Sequence, residues 1–204
     1  MTHLLTASGR MPDLRHLRPD DIHIDDIAES LSHLSRFTGH AHGYSVAAHS
    51  IHVSHLVRKL GGSLTAQMAG LLHDAHEAYM GDISTPMQQL INATAGFKVM
   101  SVITDQLQWE VLSALKWRSA YHAHRQLIKQ ADLIALATER RDLMPYHPWP
   151  WPILEGIEPD ACDLRSQLTV TPATWKAEFL NRYEHLRHAC AEALLCEARG
   201  GQAA

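Results

Sequence analysis

The chain has 204 residues, 46% of them hydrophobic, which is enough to bury one sizeable core and too few for two ordinary domains. Its formal net charge is -4, and no basic run is longer than Arg140-Arg141, so the electrostatic footprint of a nucleic-acid binder is missing. No apolar run approaches the roughly 20 residues of a membrane span, the start MTHLLTASGRMPDLRHL has no signal-peptide apolar region, and Cys162, Cys190 and Cys196 follow neither zinc-knuckle nor redox spacing, which together point to a cytoplasmic protein with reduced thiols.

Apolar residues recur at helical spacing and alternating runs are scarce, so the expected fold is all-α. Ile27, Leu31 and Leu34 mark a first helix after the polar start near Asp20. Val46, Val53, Val57 and Leu60 mark a second, which Gly61-Gly62 ends as a C-cap pair would. A third is expected from about Leu64 to Tyr79. Thr85-Pro86-Met87-Gln88 reads as an N-cap Thr, a Pro at the first helical position and a Gln that completes a capping box. Long helices follow through Val99, Ile103, Leu107, Val111 and Leu115, then through Leu127, Ile128, Ala131 and Ala135. Residues 145–172 hold Pro145, Pro148, Pro150, Pro152 and Pro159 with Trp149 and Trp151, too Pro-rich for a helix and too apolar for a solvated linker. We expect a strap or flap packed on the helical body, followed by a C-terminal helix over about 172–198, all within one domain spanning 1–204 with its core at about 20–145.

The stretch LLHDAHEAYMGDISTP, residues 71–86, crowds His73, Asp74, His76, Glu77 and Asp82 together. On a helix, His73, Asp74 and Glu77 would point to nearly one side. His49 shares the stripe of Val46 and Val53, and Asp132 lies between Ile128, Ala131, Ala135 and Leu136 on an inward face. A lone core histidine is usually a satisfied structural residue. A buried unpaired carboxylate, however, costs several kcal/mol. Two inward His and two inward Asp cancel that cost if they share a divalent cation, and nitrogen and oxygen donors without thiolate suit Mn, Fe, Co, Zn or Mg.

The order His49, His73-Asp74, Asp132 resembles the HD-domain superfamily of metal-dependent phosphohydrolases, with a His, a His-Asp doublet and a later Asp on successive helices of an HD-type helical bundle. HDAHEAYMGDISTP and KQADLIAL are similar to bacterial 5'-deoxynucleotidases and to deoxynucleotide phosphohydrolases of phages and prophages, and the likeness covers roughly residues 20–145. It implies that His49, His73, Asp74 and Asp132 ligate one divalent cation, which acidifies a water and neutralises phosphoryl charge. It makes Glu77 the carboxylate that positions or deprotonates that water, Arg36 a phosphate clamp, and Phe37 and Asp82 neighbours of the sugar. Ordinary readings stand beside these: Glu77 as an exposed helix residue, Arg36 as a charge at a helix C-terminus, and Asp82 as a turn residue.

Two departures bear on substrate. Phe37 stands where the deoxynucleotidases carry Trp, and Met87-Gln88 where Lys is usual after Thr-Pro, which removes one phosphate contact. His40, His42, His52, His55 and His76 stay unassigned, and Lys129, Arg140 and Arg141 read by default as solvated charges. The expected activity is hydrolysis of a deoxynucleoside 5'-monophosphate, a small-molecule substrate. The alternatives are a deoxynucleoside triphosphate cut to nucleoside and tripolyphosphate, a signalling nucleotide, or a degenerate HD module that binds or inhibits. Relatives of this kind often form dimers or rings, so a homo-oligomer is open.

Overall fold

The computed structural model describes residues 1–200, with side chains through 196. Its architecture is eight helices: α1 (Ile24–His33), α2 (Val46–Lys59), α3 (Leu64–Leu71), α4 (Glu77–Met80), α5 (Thr85–Ala95), α6 (Val99–Ala114), α7 (Arg118–Leu143) and α8 (Pro172–Gly200). Among the described residues there is no β-strand, so the chain is all-α as its periodicity predicts. No helix among them is long and apolar enough to cross a membrane.

Local chemistry sets the ends of the central helices. Ser45 and Ser63 each accept a hydrogen bond from an N–H of the first turn, that of Ala48 in α2 and of Ala66 in α3. Beyond α2, Gly61 adopts φ +82, a left-handed conformation that a residue with a side chain resists. Gly70 serves a different purpose: a Cβ there would lie 3.0 Å from Val57 Cγ2 and 3.6 Å from Ser54 Cα, so its absence lets α3 approach α2 closely.

The main core joins Ile27 and Leu31 of α1, Val46 of α2, Met68 and Leu71 of α3, and Phe179 and Leu186 of α8, all without exposed surface. A second cluster joins Val53 and Val57 to Ala66 and Ala69 and, from α7, to Ile128, Ala131 and Ala135. The alanines at 66, 69, 131 and 135 bring α3 and α7 close to α2, which lets short Asp and His side chains from all three regions meet.

Two expectations need correction. The helix anticipated from Leu64 to Tyr79 ends at Leu71, and the chain reaches α4 through a turn bonded from Ala75 N–H to Leu72 O and from Glu77 N–H to Asp74 O. At α5 the flanking residue is Ser84, not Thr85, because the Gln88 N–H bonds to Ser84 O and draws Thr85 into the first turn. The Gln88 side chain donates to Ile83 O instead of completing a capping box.

The segment between α7 and α8 carries two short 3-10 turns, Pro152–Leu154 and Arg165–Thr169. It lies as a strap: Leu164 is fully buried against Ala41, Tyr44, Ala48 and Leu143, while Trp149 and Ile153 stay exposed. Arg140 donates to Trp149 O at 2.7 Å, and Arg141 donates to Asp160 O at 2.7 Å and to Cys162 O. The Arg pair therefore anchors the strap.

Candidate metal centre

The turn after Leu71 is held from a distance. Gln108 of α6, itself buried, donates its side-chain N–H groups to Leu72 O at 3.1 Å and His73 O at 2.6 Å, the carbonyls that leaving the helix would orphan. His76 Nδ1–H donates back to Gln108 Oε1 at 2.9 Å, which gives this buried histidine a structural partner. Freed from the helix, His73 donates Nδ1–H to Gly70 O at 2.8 Å, and that bond fixes the ring with Nε2 facing the cluster.

The four residues expected as ligands come together. His73 Nε2 is 3.3 Å from His49 Nε2 and 3.1 Å from Asp74 Oδ2; His49 Nε2 is 3.6 Å from Asp74 Oδ2. Asp132 Oδ1 reaches His49 Nε2 at 3.4 Å and His73 Nε2 at 4.0 Å, while its other oxygen accepts from Lys129 at 2.9 Å. Neighbouring ligands on a cation with bonds of about 2.1 Å sit roughly 3.0 to 3.4 Å apart; His49, His73 and Asp74 form a compact trio close to that spacing, and Asp132 stands at its edge, near His49 and 4.0 Å from His73. His49 and His73 are 0% and 7% exposed but Asp74 and Asp132 are 19% and 22%, so the cluster opens to solvent on its carboxylate side.

Charge fits the same reading. Burial opposes ionisation of Asp74 and Asp132, yet His73 and His49 hold both carboxyls well below the usual carboxylate range. Burial and the Arg36 charge resist a proton on His49, but Glu139 and Asp132 outweigh them and raise it to about 9. A cation held by these residues would supply the positive charge that this proton otherwise provides.

Glu139 was not legible as a site residue, although it lies on the stripe of Asp132 and Ala135 on α7. It has no exposed surface and accepts the His49 Nδ1–H at 2.6 Å, which turns Nε2 toward the cluster. Its other oxygen accepts from Arg36 Nε and Nη2, each at 3.0 Å. Arg36 is thus largely committed to Glu139, and its Nη1 lies 4.0 Å from Asp74 Oδ2.

Around this set stand the remaining expected residues. Glu77 opens α4, half-buried, and its Oε2 is buried with no hydrogen-bond partner. Burial and the Asp74 and Asp82 charges raise its carboxyl well above the usual range, against the pull of Arg36. Burial likewise raises Asp82, with Arg36 opposing. Phe37 holds φ 54, strained for a bulky residue, and its ring centre is 6.1 Å from that of Trp151 in the strap.

Comparison with known proteins identifies the family. The HD domain model matches residues 46–143, from the first residue of α2 to the last of α7. The uncharacterized protein YfdR of Escherichia coli K12 is 36% identical over 187 residues, 91% of this chain and 96% of that protein. An uncharacterized protein of Rhodobacter capsulatus is 40% identical over 89 residues, 41% of this chain and 45% of its own. A 5'-deoxynucleotidase of Vibrio parahaemolyticus is 28% identical over 111 residues, 44% of this chain and 57% of its own. The matched segment carries His49, His73, Asp74, Asp132 and Glu139, and the likeness to YfdR extends over nearly the whole length: the chain belongs to the HD-domain family.

Proposed function

We propose that the protein is a metal-dependent phosphohydrolase that releases the 5'-phosphate of deoxynucleoside monophosphates. The observation that carries this reading is the meeting of two imidazole Nε2 atoms with Asp74 and Asp132, beside a Glu77 oxygen that no protein group satisfies. His49, His73, Asp74 and Asp132 would hold the cation. A divalent ion bound there supplies Lewis acidity, acidifying water and drawing charge from phosphorus.

The other roles fall to the chain's own groups. Glu77 accepts the proton of the attacking water, a task suited to a carboxyl whose proton affinity is raised by burial and by Asp74. Arg36, pinned by Glu139 on one side, presents Nη1 toward the cluster, where it steadies a phosphate oxygen. Asp82 and Phe37 border the sugar.

The likeness to the Vibrio 5'-deoxynucleotidase supports the substrate class. Charge supports a monophosphate over a triphosphate. Beyond Arg36, the nearby cations already have work: Lys129 on Asp132, and Arg140 on the strap and on the Trp151 ring. A triphosphate brings more negative charge, and Gln88, where the resemblance leads one to expect Lys, donates to Ile83 O.

The test is phosphorus NMR of the products formed by Mn²⁺- or Co²⁺-loaded protein from mixed deoxynucleoside mono- and triphosphates. Orthophosphate with loss of the monophosphates is expected. Tripolyphosphate would overturn the substrate assignment, and no product under any cation would leave a binding module.

A further inference from the structure

A second group of metal-type donors lies away from the His49 cluster. His52 follows His49 by three residues on α2, is 9% exposed, and directs Nε2 at the strap: 3.5 Å from Cys162 Sγ and 3.7 Å from Asp160 Oδ2. Its Nδ1 is buried with no partner, so the ring engages its surroundings through Nε2. One donor atom from each of the three residues lies within 4.8 Å of the other two. On a tetrahedral zinc ion, with bonds of about 2.0 Å to nitrogen or oxygen and 2.3 Å to sulfur, ligand atoms sit roughly 3.3 to 3.7 Å apart.

The strap presents its two donors from a fixed backbone. The Asp160 N–H donates to Thr138 Oγ1 at 2.8 Å, its carbonyl accepts from Arg141, and Arg141 also holds the Cys162 carbonyl. Lys59 donates to both Asp160 oxygens, at 2.8 and 2.7 Å. Its side chain is 54% exposed, so it can leave for solvent when a stronger positive charge arrives. Burial and Asp160 push the Cys162 thiol up to about 11, so metal uptake must release a proton.

We propose that His52, Asp160 and Cys162 form a second metal site, which takes Zn²⁺ with a solvent molecule as fourth ligand and fastens the strap to α2. Nitrogen, oxygen and sulfur donors together favour zinc over the harder ions suited to the His49 cluster, which offers no thiolate. Lys59 then acts as a built-in competitor, holding Asp160 when metal is scarce. The inference does not depend on the reaction proposed above.

That difference in donors supplies the test. Cobalt bound by a thiolate gives an intense near-ultraviolet charge-transfer band, which nitrogen and oxygen ligands do not. Reduced full-length protein titrated with Co²⁺ is expected to develop this band and to lose it when Zn²⁺ is added. The band should vanish in Cys162→Ser and persist in a Cys190→Ser, Cys196→Ser double variant. Asp160→Asn should weaken Co²⁺ at this site, and Lys59→Met should tighten it several-fold, each with unchanged far-ultraviolet helicity. Absence of the band in the unmodified protein, its survival in Cys162→Ser, or no tightening in Lys59→Met would overturn the proposal and leave these residues as a salt-bridge node.

Discussion

Glu139 makes the proposed centre depend on a residue that touches no ligand position. It holds His49 and Arg36 together, and burial of its charge is tolerated only because both partners are present. Glu139→Gln should therefore weaken metal binding about 10- to 100-fold, as loss of a histidine-orienting carboxylate generally does. It should also lower stability by roughly 3 kcal/mol, since Arg36 keeps only its longer 4.0 Å contact with Asp74 to balance its buried charge. Calorimetric Mn²⁺ titration and urea unfolding of the same variant read the two effects separately. At this scale the sequence was half legible. His49 and Asp132 announce themselves because a polar group on an apolar stripe needs a partner. Glu139 and Gln108 obey the same logic, but each serves a group far away in the chain, His49 across 90 residues and His73 across 35, and nothing local marks the pairing.

Among the elements, the break after α3 matters most. Periodicity places His73, Asp74 and Glu77 on one continuous helix because Leu71, Leu72 and Ala75 keep helical spacing. The chain instead turns, since Gln108 accepts the role of satisfying the released carbonyls, and the turn aims His73 and Asp74 at His49. The long apolar-striped helices were legible; this turn was not, because a tertiary hydrogen bond overrides the local preference. α8 illustrates the opposite case. Its Trp175, Phe179, Tyr183 and Leu186 spacing is plain in the sequence, and Phe179 and Leu186 are fully buried against α1 and α3. Phe179→Ala should cost about 3 to 5 kcal/mol in urea unfolding. Because α8 supplies none of the clustered donors, Mn²⁺ affinity of the folded fraction should not change, and a large loss would mean that α8 positions the site.

For the molecule as a whole, charge orders the events. The chain carries a net -4, and Asp74 and Asp132, the two carboxyls held ionised, stand on the exposed side of the cluster, so under the proposed function an anionic phosphate is repelled there until a cation is in place. Metal removal should therefore abolish substrate binding as well as turnover. The strap adds a wall on the Phe37 side through Trp151, a placement that its Pro and Trp content suggested in kind but not in position, since the Arg140 and Arg141 anchors read in sequence as ordinary surface charges. In the proposed centre His49, His73, Asp74 and Asp132 hold one divalent cation, and Glu77 works beside it without ligating. Mn²⁺ binding by equilibrium dialysis tests this most directly, because Mn²⁺ shuns the thiolate of Cys162. We expect one Mn²⁺ per chain in the unmodified protein, none in Asp132→Ala, and one in a Glu77→Gln variant that no longer turns over. Full Mn²⁺ occupancy in Asp132→Ala, or undiminished activity in Glu77→Gln, would rule out this assignment of ligands and base.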